Sequence, residues 1–224
     1  MVSFMNGNRM FLWRCDHRDR YTVVEMSHLN ALKLGDAVPQ RGNWFSALVG
    51  KSILRIRGWR FEGAVPNVPK AVVIVVPHTS NWDFIVGVAA VFAMGLRASF
   101  LGKHTLFKWP FGPLMRWLGG FPVDRRTARG VVEETVNLFM SNDQMILGVS
   151  PEGTRSSVDR WKTGFYYVAL EAKVPIIPVA FDYNRRVIRF GECFDPTGDI
   201  QDDFRVLELF FSGIEGQRRS KTGE

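Results

Sequence analysis

At 224 residues the chain suits one domain with a sizeable core better than two. Hydrophobic residues make up 46% of it and 18 residues are Phe, yet no run reaches the ~18 apolar residues needed to cross a bilayer, so a membrane-spanning protein is not expected. The net charge of +7 is concentrated early, with eleven Lys or Arg against five Asp or Glu in residues 1–70, a balance that suits nucleic acid, anionic lipid or an anionic substrate.

Residues 1–40 follow neither a helical nor a strand period and are assigned to an N-terminal extension. Arg9, Arg14, Asp16, Arg18, Asp19 and Arg20 interrupt its apolar runs, so no secretory signal is expected. The only cysteines, Cys15 and Cys193, form no disulfide framework, and His17, His28, His78 and His104 are too scattered for a metal site. A reducing cytoplasm and no metal or organic cofactor are the expectation.

The folded domain is expected over residues 41–215, followed by a flexible polar tail at 216–224. It opens with a basic amphipathic segment at 41–60. Phe45, Leu48, Val49, Ile53 and Ile56 recur at helical spacing, Lys51, Arg55 and Arg57 form a cationic side, and Trp44 and Trp59 flank it. Such a helix either lies in the headgroup layer of an anionic membrane, each basic residue adding about 1 kcal/mol, or packs on the core as an ordinary surface helix. The interleaved aromatics favour lipid over nucleic acid, which is not expected as a partner.

Beyond it, strands and helices alternate, which predicts a single α/β domain with a mostly parallel central sheet flanked by helices. The β-branched run at 71–76 predicts a strand buried on both faces, followed by a helix at 84–96. Further strands are predicted at 99–102, 121–123, 145–149, 176–181 and 187–190, with helices at 127–140 and 164–172, the latter stopped by Pro175. The apolar residues of 106–118 suit an acyl groove, a lipid contact or the core equally well.

Chemistry gathers where the first buried strand ends, at His78-Thr79-Ser80-Asn81-Trp82-Asp83. Ligands of open α/β sheets bind beyond the carboxyl ends of the strands, so His78 would enter a crevice there. A reversing turn brings Asp83 to one imidazole nitrogen and leaves the other as a general base. Alternatively Ser80 and Asp83 form a capping box, and Asp83 is only a helix cap. After the strand at 145–149, Pro151-Glu152-Gly153-Thr154-Arg155 offers a close-approach glycine, a hydroxyl donor and a guanidinium fork suited to phosphate. Gly119-Gly120-Phe121-Pro122-Val123-Asp124-Arg125 supplies a second arginine at another strand end. Lys103 and Lys162 sit beside sheet-edge elements, either as substrate contacts or as solvated lysines.

In order, HTSNWD (an H-x4-D motif), GGFPVDR, PEGTR and VPIIPVAF resemble the glycerolipid acyltransferase family, best known for lysophosphatidic acid acyltransferases. The resemblance covers residues 58–181. It implies that His78 deprotonates the acceptor hydroxyl and Asp83 orients it. It further implies that Arg125, Glu152, Gly153 and Arg155, with Thr154 beside them, hold the acceptor phosphate, and that Pro178 lies on the acyl-donor side. The second block departs from the family's usual F-I-D-R or F-V-x-R in having Pro122 and Val123 before Asp124, although the arginine still aligns.

The implied reaction moves a fatty acyl group from acyl-CoA or acyl carrier protein to the hydroxyl of a lysophospholipid such as 1-acylglycerol-3-phosphate. The implied location is the cytoplasmic face of a membrane, peripheral or monotopic. A non-catalytic lipid-binding protein and a thioester or lipid hydrolase are the rival readings. Residues 1–40 and those beyond 190 match no family block, so acceptor headgroup and acyl-chain length are left open.

Overall fold

The computed structural model describes residues 34–77, 81–123, 128–152 and 161–214. In chain order the elements are α1 (Trp44–Ile56), β1 (Arg60–Glu62), β2 (Lys70–Val76), α2 (Asn81–Met94), β3 (Ala98–Lys103), a 3-10 turn (His104–Phe107), α3 (Gly112–Trp117), β4 (Gly120–Val123), α4 (Ala128–Ser141), β5 (Met145–Val149), α5 (Gly164–Ala172), β6 (Ile176–Asp182), β7 (Val187–Phe190) and α6 (Ile200–Phe211). The described strands form one sheet in the order β1-β7-β6-β2-β5-β3-β4. Every pairing is parallel except the β6–β7 hairpin. The expected α/β class with a mostly parallel sheet is therefore observed.

Strand β2 explains the layering. Its β-branched side chains alternate across the sheet, so Ala71, Val73 and Val75 join a core with Leu54 of α1 and Val86, Ala89, Ala90 and Ala93 of α2. Val72, Ile74 and Val76 join a second core with Phe139 of α4, Tyr166 and Ala169 of α5, and Leu207 and Phe211 of α6. A strand apolar on both faces can satisfy both only between two helical layers.

Helix α1 is started by Asn43, whose Oδ1 accepts from the Ser46 N–H at 3.0 Å while the Asn43 N–H donates to Ser46 Oγ at 3.0 Å. It crosses α2 at Gly50, where a Cβ would lie 2.5 Å from both Ala89 O and Ala93 N, so a larger residue would push the helices apart. The apolar helix predicted at 84–96 is displaced to Asn81–Met94. Gly95, at φ 69°, ends it in a left-handed turn with Leu96 N–H donating to Val91 O at 3.0 Å. Helix α5 is likewise stopped by Lys173 at φ 53°, two residues before the Pro175 expected to end it.

Four elements go beyond the predicted set: β1, the 3-10 turn, α3 and α6. The first three are too short to show a period. Helix α6 is not, and its Asp199 cap, which accepts from Gln201 and Asp202 N–H at 3.1 and 3.2 Å, is a readable start signal. Residues 34–40, placed with the extension on the sequence, are packed on the domain instead. Val38 is 2% exposed, Ala37 N–H donates to Asn67 Oδ1 at 2.9 Å, and Arg97 N–H donates to Pro39 O at 2.8 Å. The remainder of the extension and the tail at 216–224 lie outside the described residues.

A buried polar knot fastens α6 to α5. Tyr166 donates to Asp203 Oδ2 at 2.7 Å, Thr197 donates to Asp203 from its N–H and hydroxyl at 2.8 Å each, and Gly198 N–H donates to the Tyr166 oxygen at 3.0 Å. Burial, and secondarily the Asp203 carboxylate, push the Tyr166 phenol up to about 12. Replacing Tyr166 with Phe leaves Asp203 short of a donor and should cost about 1–3 kcal/mol in urea unfolding near pH 8. A raised phenol pKa makes that contribution full below about pH 10, the ordinary value, and lost as pH rises through about 12. The stability gap between native protein and Tyr166→Phe is thus expected to narrow across that window.

Candidate active site

Parallel pairing brings the strand ends that carry the sequence motifs to one edge of the sheet. Val76 of β2 aligns with Ala180 of β6, Ile74 of β2 with Val149 of β5, and Lys103 of β3 with Val123 of β4. The HTSNWD, PEGTR and GGFPVDR blocks each leave the sheet at that edge. His78, Arg125, Gly153, Thr154 and Arg155 lie outside the described residues, but the backbone entering each of these segments is described at Pro77, Val123 and Glu152. Ser80, the expected helix cap, is outside them as well.

Asp83 stands in the first turn of α2 and is only 2% exposed. A carboxylate so far from water needs partners. The Tyr183 hydroxyl supplies one by donating to Asp83 Oδ1. Tyr183 opens the hairpin turn after β6 and packs edge-on against Trp59, ring centroids 4.9 Å apart at 88°. This contact exceeds the role of a helix cap, because it reaches 100 residues along the chain. Sequence reading misses Tyr183: no local pattern marks it, and only the β2–β6 register carries it to α2. The available signal is its place one residue beyond a buried parallel strand.

The other described candidates occupy the same edge. Glu152 is buried at 8% exposure just after β5, while Lys103 and Lys162 are exposed. The Lys162 N–H donates to Pro151 O at 2.8 Å and so brings together the two ends of the segment that contains Gly153, Thr154 and Arg155. Ser150, directly after β5, has its Oγ buried with no hydrogen-bond partner among the described residues. Pro178, linked by the family resemblance to the donor side, is buried within β6 opposite Ile74.

The protein carries unusual apolar exposure on one set of helices. In α1, Gly50 and Leu54 face the core, whereas Trp44, Phe45, Leu48 and Ile56 are 52–84% exposed. Of the expected apolar stripe, Phe45, Leu48, Ile53 and Ile56 are exposed and Val49 is half-buried, so the helix turns that stripe outward and packs through Gly50 and Leu54 instead. Of the stretch at 106–118, Phe107 is buried, but Trp109 is 88% and Phe111 66% exposed, which removes the core reading for most of it. Guanidinium groups stack on this surface, Arg57 over Trp82 at 4.3 Å and Arg41 over Trp117 at 4.9 Å. Among the described residues no helix is long and apolar enough to cross a membrane.

Comparison with known proteins bears on the family and the fold. The family model described as Acyltransferase matches residues 61–182. The 1-acyl-sn-glycerol-3-phosphate acyltransferase of Haemophilus influenzae is 23% identical over 75% of this chain and 77% of its own length. The enzyme of the same name from Escherichia coli is 32% identical over 48% of this chain, but the match spans only 45% of that protein. Among solved structures, the crystal structure of the 1-acyl-sn-glycerophosphate (LPA) acyltransferase PlsC from Thermotoga maritima superposes with a TM-score of 0.55 and 21% identity. That likeness covers 74% of this chain and 75% of that one.

An isosteric change at the buried carboxylate separates chemistry from folding. In Asp83→Asn the amide oxygen can still accept from Tyr183, so thermal unfolding should stay within a few degrees of native. Since the role expected of Asp83 is to hold and stabilise the His78 imidazolium, kcat for acyl transfer should fall by roughly 10²–10⁴.

Proposed function

This chain belongs to the acyltransferase family, and we propose that it transfers a fatty acyl group from an acyl thioester to the free hydroxyl of a lysophospholipid, with 1-acylglycerol-3-phosphate as acceptor. The observation that carries this reading is the buried Asp83 carboxylate at the sheet edge from which the HTSNWD and PEGTR blocks both emerge.

In the proposed reaction His78 takes the acceptor's hydroxyl proton as that oxygen attacks the thioester carbonyl. Asp83 holds the imidazole tautomer and stabilises the imidazolium. The tetrahedral oxyanion collapses, the carbon–sulfur bond breaks, and the proton passes to the departing thiolate. No acyl-enzyme is needed. Cys193 is buried at 5% exposure in the core that packs against α1 and α2, which leaves it poorly placed as a nucleophile.

Arg125 and Arg155 would pair with the acceptor phosphate, and Gly153 and Thr154 would supply close backbone and hydroxyl donors. A Glu152 carboxylate would repel phosphate, so it would serve that site by pairing with its cations rather than by touching the ligand. Lys103 and Lys162 would meet acceptor phosphate or the anionic carrier of the donor, acyl-CoA or acyl carrier protein. No metal or organic cofactor takes part.

The exposed aromatic surface supports peripheral attachment to an anionic bilayer, and the cytoplasmic face is the side proposed. Trp44, Phe45, Leu48 and Ile56 would enter the headgroup layer, and Arg55 and Arg57 would meet lipid phosphates. Phe45→Asp with Ile56→Asp should weaken co-sedimentation with phosphatidylglycerol-containing vesicles by at least about tenfold, since each change replaces insertion with charge. Unchanged partition would move the attachment surface elsewhere.

For the chemistry, labelled acyl-CoA and acyl carrier protein thioesters are supplied with lysophosphatidic acid on such vesicles. Product is expected from the native protein. His78→Ala should lower the rate by about 10²–10⁴, and release of free fatty acid in place of product would point to a hydrolase. Turnover by His78→Ala at the native rate would remove the proposed base.

A further inference from the structure

The hydroxyl on Asp83 belongs to a residue fixed from several directions. Tyr183 begins the turn between β6 and β7, which is closed by Arg185 N–H donating to Asp182 Oδ1 at 3.0 Å and by Arg186 at φ 53°. Glu62 of β1 pairs with Arg185 and with Arg189 of β7, each at 3.1 Å. Arg60 N–H donates to Arg186 O at 3.0 Å, and the Arg186 guanidinium donates to Arg57 O at 3.3 Å, just past α1. Trp59, 6% exposed, closes the remaining side with its ring edge against Tyr183. The phenol therefore has little freedom, and its donor is aimed at one oxygen of the buried carboxylate.

We propose that Tyr183 is a positioning residue for the acyl transfer, acting through Asp83. It restrains rotation of the carboxylate and draws part of its negative charge onto Oδ1, and so sets how strongly Asp83 raises the basicity of His78. The inference rests on His78 and Asp83 working as the proton-transfer pair. The charged groups of the surrounding elements are Arg57 after α1, Arg60 and Glu62 of β1, and Asp182, Arg185, Arg186 and Arg189 of the hairpin. Glu62 and Asp182 are engaged within the β1–hairpin unit, and the Tyr183 hydroxyl reaches from that unit to Asp83.

The test follows the His78 imidazole by proton–carbon NMR, with His78→Gln assigning the signal, alongside steady-state kinetics. In Tyr183→Phe the carboxylate loses a donor and becomes more negative toward the imidazole. The His78 pKa should then rise by about half a unit to one unit, and kcat should fall about tenfold while KM for both substrates changes less than about twofold. In Asp83→Asn the same Tyr183 change should move neither quantity. Substituting 3-fluorotyrosine at position 183, a stronger donor of nearly the same shape, should shift the His78 pKa downward and serves as the variant that keeps the fold. An unmoved titration in both Tyr183 variants overturns the proposal, as does an equal effect in the Asp83→Asn background. If the titrations move as expected but the native protein transfers no acyl group, the acyltransferase reading fails and the role of Tyr183 in the pair stands.

Discussion

The architecture depends on one constraint, the burial of β2 on both faces. A strand whose successive residues are all apolar has no solvated side, so layers must cover it above and below, and both of its edges need paired neighbours. Strands β5 and β6 fill those edges. Once they pair in parallel with β2, every loop that follows a central strand emerges on one edge of the sheet. The site is thus a consequence of how the core is satisfied, which is the general logic of open α/β sheets.

Against that apolar interior Asp83 is a costly exception. Its burial requires a donor, and the donor comes from an element that the chain reaches only after completing the sheet. The hairpin holding Tyr183 is in turn tied to β1 and to the end of α1 by the Glu62 ion pairs and the Arg186 contacts. In physical terms a continuous set of hydrogen bonds and packed rings runs from the exposed helix to the carboxylate. Surface ion pairs such as those of Glu62 are individually weak. They matter here because they over-determine the orientation of a single turn.

The exposed aromatic residues of α1 and of the segment around α3 show how one helix can meet two demands. Gly50 and Leu54 give α1 a narrow inner stripe that approaches α2 closely, and the remaining apolar residues are free to face outward. A broad stripe read from spacing alone does not distinguish these uses, because periodicity reports which residues share a face and not what covers that face.

The sequence by itself determined the strands of the sheet other than β1, because short apolar runs between helical periods read as buried strands. It also marked the candidate motifs for chemistry, since His78, Asp83 and the PEGTR block are local patterns with local signals. The short elements β1 and α3 carry too few residues to show a period, and the packed residues 34–40 have no period at all. Only tertiary structure decided the strand order, the split of α1 between core and surface, and the contact of Tyr183 with Asp83. Strand order follows from matching apolar faces across the whole chain. A hydrogen bond between residues 100 positions apart exists only after that matching is complete, so no local pattern can encode it.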